Sequence, residues 1–341
     1  MKAARLVEYN QPLKVEEVPE PRITGPYDVI LRVGGAGVCR TDLHLIEAVW
    51  KDTLHSHLPF TIGHENAGWV EEVGQAVTNV QPGDAVICHP VITCGFCRAC
   101  RAGNDMHCVN IVFPGLTTDG GYAQYLKTSA RSVIKLKSNA QPAEVAPFAD
   151  AGITAYHAVK KTIPLAFPGS STVITGIGGL GHIGLQLVHA MTTARSIALD
   201  TSDARLQFAH SLGADETVNV SQGDGVQAVQ RLTDGGADVV IDFVGTDQTL
   251  RESISMLRKG GAYLIVGYGG IMHEPSLDII NREITVMGNL VGTYNDLVEL
   301  MELYYQGQVK IKSSQYPFDQ VNDVLHKLDE GHVEGRAVLV P

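Results

Sequence analysis

No run of about 18 apolar residues occurs anywhere in the 341-residue chain, which excludes a helical membrane span. The opening MKAARLVEYNQPLKVEE also lacks the apolar stretch of a secretory signal. Charge is sparse: Asp, Glu, Lys and Arg make up 18% of residues, against a usual ~25%. That argues against the ion-pair-rich surface of a hyperthermophile. Positive charge is scarcer still, with 26 Lys and Arg against 37 Asp and Glu, a formal balance of −11. Such a chain repels a phosphate backbone, so no nucleic-acid partner is expected. Internal repeats and low-complexity segments are also missing. Hydrophobic residues, at 44%, allow a sizeable core, and the length suits two domains. The expectation is a soluble, cytoplasmic protein with no membrane partner. In reducing surroundings its six cysteines serve as thiols or metal ligands rather than disulfides.

Residues 3–9 and 28–33 read as short strands, separated by a Pro-rich turn at 19–26. The second runs into Gly34-Gly35-Ala36-Gly37, read as a flexible corner. Gly63-His64-Glu65-Asn66-Ala67-Gly68 is a turn before the alternating WVEEVG, and residues 80–90 repeat that order around Pro82-Gly83-Asp84. Many short strands with glycine-rich corners predict an irregular β-barrel or sandwich. From residue 151 a helical stretch, 153–162, is followed by apolar runs at 172–176, 196–200, 216–220, 239–244, 262–268 and 284–290, alternating with helical runs. Leu180, Ile183, Leu187 and Met191 mark one face of the first such helix. This pattern predicts a doubly wound parallel sheet. The chain thus divides into a first domain, 1–150 with 292–341, and a second, 151–291.

Gly176-Ile-Gly178-Gly179-Leu180-Gly181 follows an apolar strand and opens a helix, the setting in which such glycines let a pyrophosphate approach unpaired helix N–H groups. The next strand ends in Asp200. A carboxylate there accepts from ribose hydroxyls and repels a 2′-phosphate, which favours NAD over NADP. Arg205 lies beside the adenine or is a solvated helix charge. Cys94-x2-Cys97-x2-Cys100-x7-Cys108 is the most specific metal signal, since four thiolates close a tetrahedral structural zinc site. An iron–sulfur cluster competes, but the ferredoxin run has a shorter final spacing followed by proline. Cys88, in an apolar run, reads as a core thiol.

Cys39 remains. His64, followed by Glu65, is its natural second partner and Asp150 a candidate third, with the alternative that Asp150 caps the helix after it. Three protein ligands leave zinc an open position, the mark of a catalytic site. Trp50, Phe113 and Leu116 point to an apolar substrate pocket. His55, His57, His89 and His107 have no assigned work.

Taken together, Gly-Val-Cys-Arg-Thr-Asp-Leu-His at 37–44, the GHENAGWVEEVG segment, the four-cysteine lobe, the GIGGLG turn with Asp200 and the terminal GRAVLVP resemble the zinc-containing medium-chain alcohol dehydrogenases over essentially the whole length. The resemblance is nearest to microbial, often tetrameric, NAD-dependent members. It implies a GroES-like irregular β-barrel catalytic domain beside a Rossmann domain, two zinc ions per subunit, a homotetramer (or else a dimer), and reversible oxidation of small primary or secondary alcohols to aldehydes or ketones with NAD. By position it implies that Cys39, His64 and Asp150 hold the catalytic zinc. Thr41 and His44 fall on the proton relay, and Arg40 and Arg336 on the pyrophosphate. Phe243, Val244, Val266, Gly267, Leu290 and Val291 fall on the nicotinamide. Glu65 is either an anchor behind the zinc ligands or a transient ligand. One departure stands out: many relatives carry Cys where this chain has Asp150, which leaves the zinc harder and more electrophilic. A polyol or sugar dehydrogenase on the same scaffold is the alternative activity, though it calls for polar pocket residues.

Overall fold

The computed structural model describes residues 1–54 and 56–341; His55 lies outside the described residues. The chain forms two compact units. One comprises Met1–Ala151, Thr293–Val298 and Ile311–Pro341, and the other Gly152–Gly292 and Glu299–Lys310. Residues 299–310 therefore belong with the second unit rather than the first. Glu299 accepts from the Tyr156 hydroxyl at 2.6 Å, and the Gln186 side chain bonds both the N–H and the carbonyl of Lys310. No helix among the described residues is long and apolar enough to cross a membrane.

The first unit is built on the 11-residue strand Asp28–Val38. It pairs antiparallel with Glu65–Val73 along one edge, and with Tyr125–Ser129 and then Arg336–Val340 along the other. Ala85–Cys88, Val133–Lys135 and Ser313–Pro317 extend the sheet, and a second, three-stranded sheet holds Lys2–Leu6. Leu6, Leu31, Ile62, Val86 and Leu339 are fully enclosed in one apolar core, each side chain stabilising the fold by roughly 1.5–3 kcal/mol through burial.

The glycine run at 34–37 is not a loose corner. The strand continues through it to Val38, with a register shift between Val33 and Gly35. A Cβ on Gly37 would run into the Glu65 carboxylate of the neighbouring strand. Glycine is required here for close approach rather than for freedom.

The second unit is a six-stranded parallel sheet. In chain order its strands are Ser171–Thr175, Arg195–Asp200, Glu216–Asn219, Ala237–Asp242, Leu257–Ile265 and Thr285–Gly288. The spatial order runs outward on both sides from the first strand, so the chain reverses direction there. This is the switch point at which doubly wound sheets bind ligands. Helix Gly181–Met191 packs on the sheet with Gly181–Val188 buried all round, a wider apolar contact than the single face read from spacing.

Candidate metal and dinucleotide sites

Cys39 ends the central strand and serves as N-cap of the short helix Arg40–Ile46. Asp42, at the third helical position, reaches back so that its Oδ2 accepts from the Cys39 N–H at 2.9 Å. That is half of a capping box, which fixes the Cys39 backbone. Asp42 is fully buried, and its Oδ1 lies 3.3 Å from His64 Nδ1. His64 precedes the paired strand Glu65–Val73, and its Nε2 lies 3.4 Å from Asp150 Oδ2. One atom each from Cys39, His64, Glu65 and Asp150 lie within 4.8 Å of one another. A tetrahedral zinc with bonds of about 2.0–2.3 Å sets its ligands roughly 3.4–3.8 Å apart; the His64–Asp150 pair stands at 3.4 Å, and all four donors lie close enough to share one ion.

The electrostatics fit a cation at this point. Burial alone would push the His64 imidazole down, but Asp42 and Asp150 hold it well above the ordinary histidine range. Neither His64 nitrogen makes a well-formed hydrogen bond among the described residues. A buried polar atom left unpaired and aimed at a thiol and a carboxylate is what a metal ligand looks like before the metal is counted.

Asp150 immediately precedes the helix Ala151–Thr162, and its Oδ2 faces His64. The helix's first N–H, on Ala151, donates to Glu65 Oε1 at 3.1 Å. That oxygen also meets the Arg336 guanidinium at 2.5 Å. Burial pushes the Glu65 carboxyl upward, against the pull of Arg336. The Arg336 side chain, 4% exposed, is enclosed against Glu65.

Arg40 is exposed, 3.6 Å from Asp329. Thr41 and His44 are half-buried on the same helix, and burial lowers the His44 imidazole below its usual value, with Glu47 opposing and Arg40 assisting. Trp50 meets the His44 ring edge-on at 5.7 Å, and Phe113 meets the His64 ring likewise at 6.0 Å. Leu116 is buried in the same core. His89 is buried beside Asp105, away from the four donors.

The four lobe cysteines also come together within 4.8 Å, with Cys97 and Cys100 sulfurs 3.5 Å apart. Backbone N–H groups of Cys100 and Val109 hold the Cys97 thiol down to about 6, which favours the thiolate, the form zinc binds. Burial pushes Cys100 up to about 11. Cys88, inside the core, is pushed up to about 12 and is inert.

In the second unit a Cβ on Gly181 would collide with the Gly176 carbonyl, whereas one on Gly178 would meet nothing within 4 Å. The third glycine of the turn serves packing, and the second, Gly178, faces open space of the kind a pyrophosphate would enter. Asp200, 6% exposed, accepts from Ile177 N–H at 2.8 Å and Ser202 N–H at 3.0 Å. Arg205 stands 3.8 Å from it. Gly179 and Leu180 complete the turn. Phe243 packs beneath Gly184 and Val244 against Gly176. Val266 and Gly267 N–H groups donate to the Asp242 carbonyl. Leu290 is exposed, and Val291 is buried in a left-handed backbone conformation at φ 45, unusual for a β-branched residue.

Sequence reading missed Asp42, although the Cys39-x-x-Asp42 spacing of a capping box was a usable signal. It also missed Tyr122, whose hydroxyl donates to Asp42 at 2.7 Å, and for which no local signal exists.

A β-rich unit carrying two clustered donor sets, together with a doubly wound unit carrying a glycine turn, defines a metal-dependent, dinucleotide-type oxidoreductase class. The comparisons agree. Residues 25–138 match the alcohol dehydrogenase GroES-like domain, and residues 179–306 match the zinc-binding dehydrogenase domain. An alcohol dehydrogenase of Geobacillus stearothermophilus is 36% identical over 99% of both chains. The D-arabinose 1-dehydrogenase (NADP(+)) of Saccharolobus solfataricus is also 36% identical, over 100% of this chain and 97% of its own. The solved alcohol dehydrogenase of the archaeon Aeropyrum pernix superposes with a TM-score of 0.97 at 49% identity, with both chains covered completely. The chain belongs to the zinc-containing medium-chain alcohol dehydrogenase family.

Proposed function

We propose that this protein is an NAD-dependent alcohol dehydrogenase that interconverts small primary or secondary alcohols with aldehydes or ketones. It holds a catalytic zinc on Cys39, His64 and Asp150, and a structural zinc on the four lobe cysteines. The observation that carries the reading is the first donor set, a thiol, an imidazole and a carboxylate within 4.8 Å around an unpaired buried His64 nitrogen. When bound, zinc supplies a Lewis acid that acidifies the alcohol hydroxyl and the nicotinamide supplies the hydride acceptor.

The chain's own residues manage the proton and the environment. Phe113 and Leu116 keep water from the donors. Thr41 and His44, three apart on the helix Arg40–Ile46, share a face. The Thr41 hydroxyl accepts the alcohol's proton while giving its own onward through the cofactor ribose to the half-buried His44 ring, which releases a proton to solvent. Burial keeps that ring neutral below the usual histidine range, so it remains a proton acceptor into mildly acidic solution. Alcohol oxidation should fall only when pH drops through this lowered value. Replacing His44 with Gln should lower kcat for oxidation by about 100-fold and flatten the acid limb of the pH–rate profile. An unchanged profile removes His44 from the route.

The enclosed Asp200 carboxylate supports NAD, because a 2′-phosphate placed there meets like charge. Asp200→Asn should raise the NADP-to-NAD ratio of kcat/KM by at least about tenfold. The same ratio in both proteins would assign cofactor choice to another residue.

One observation favours a second reading, oxidation of a sugar hydroxyl: the D-arabinose enzyme is as similar as the Geobacillus alcohol dehydrogenase. Initial rates on a panel of simple alcohols, carbonyls, polyols and aldopentoses, with NAD and with NADP, test both. Higher kcat/KM on aldopentoses replaces the first reading with the second.

A further inference from the structure

Tyr122 is fully buried, 80 residues beyond Asp42 in the chain, yet it joins both segments that carry the first metal ligands. Its ring lies so close to Gly63, the residue before His64, that a Cβ there would strike the ring. Its backbone N–H donates to Ile62, and the Gly121 N–H beside it donates to Gly63. Its hydroxyl stands 2.7 Å from Asp42 Oδ2 and 3.2 Å from the carbonyl of Gly37, two residues before Cys39. A phenol has one proton to give, and the nearer, charged oxygen is the stronger acceptor.

Asp42 Oδ2 therefore takes two donors, the Tyr122 hydroxyl and the Cys39 N–H. Its other oxygen is left to face His64 Nδ1 at 3.3 Å. That carboxylate oxygen stands behind the ring, on the side opposite the Nε2 that faces Asp150. Burial, reinforced by Asp42, keeps the phenol protonated well beyond the ordinary tyrosine range, so it remains a donor at working pH.

We propose that Tyr122 is a positioning residue for the metal on Cys39, His64 and Asp150: by occupying Asp42 Oδ2 while packing on Gly63, it sets where His64 sits. This inference rests on the zinc reading above, and one experiment separates the two. Zinc release from intact protein into an excess of the chromogenic chelator 4-(2-pyridylazo)resorcinol is followed for wild type and for Tyr122→Phe, which removes only the hydroxyl. Two phases are expected in the wild type, assigned with a variant lacking the Cys39 thiol. The Cys39 phase should be about tenfold faster in Tyr122→Phe, while the four-cysteine phase and the melting temperature stay put.

A wild type with no Cys39 phase overturns the zinc reading itself. Two normal phases in wild type with unchanged rates in Tyr122→Phe overturn the role of Tyr122 alone, as does a parallel acceleration of both phases, which marks general loosening. Asp42→Asn with and without Tyr122→Phe should release at one rate, because the hydroxyl acts through Asp42; additive effects overturn that route. Should Tyr122→Phe fail to fold, 3-fluorotyrosine inserted at position 122 preserves the shape and alters the phenol's donor strength. It should move the Cys39 phase alone, and an unmoved phase overturns the proposal.

Discussion

Cys39→Ala is expected to cut alcohol turnover by at least about a thousandfold while leaving NADH binding intact. Lewis-acid stabilisation of developing charge is worth several kcal/mol, and each 1.36 kcal/mol is a factor of ten in rate. Cys39 supplies the only thiol among the clustered donors of the first site, so its loss removes the softest of the zinc ligands. NADH binding should persist because the glycine turn and Asp200 are organised by contacts within their own unit, such as the bond from Ile177 N–H to Asp200. Zinc analysis should find one equivalent lost and the four-cysteine equivalent retained, with NADH fluorescence titration unchanged. Normal turnover by this variant would sink the assignment of the first donor set.

Arg336→Met should be the most destabilising single change in the first unit, at about 3–5 kcal/mol. That is the usual loss when one partner of a buried ion pair is removed and the other charge is left alone. The guanidinium and the Glu65 carboxylate are 4% and 0% exposed, so water cannot replace the missing partner. Arg336→Lys should recover only part, since a point charge lacks the fork that meets a carboxylate. Glu65→Gln combined with Arg336→Met should recover more, because no charge is then stranded. Chemical denaturation followed by Trp69 fluorescence, on the strand that begins with Glu65, reads these differences. A loss below about 1 kcal/mol for Arg336→Met would place the pair among surface-like bridges.

What could be read in the sequence was whatever is local. The four cysteines lie within 15 residues, and the glycine turn is contiguous, so spacing alone exposes their geometry. The alternation of strands and helices after residue 151 follows from apolar runs, each of which decides its own element. Less legible were features that depend on partners distant in sequence. Tyr122 and Asp42 are 80 residues apart, and nothing in either neighbourhood announces the other. Residues 299–310 join the second unit through bonds to Tyr156 and Gln186, more than 120 residues earlier. Glycines at 34–37 have two physical uses, freedom of the backbone and lack of a side chain, and composition does not say which applies. The strand shows it is the second. The Arg336–Glu65 pair was equally illegible, because its partners lie at opposite ends of the first unit's sequence.

The Arg336–Glu65 pair also has a history in time. Arg336 is made long after Glu65, so at about 5–20 residues per second the interval between them is on the order of half a minute. Throughout that interval the strand Glu65–Val73 can form, but its first carboxylate has no cation to meet. Strand Arg336–Val340 must then slide in beside Val38 to bring one. Until that strand pairs beside Val38, the buried Glu65 carboxylate lacks the guanidinium that meets it in the folded unit.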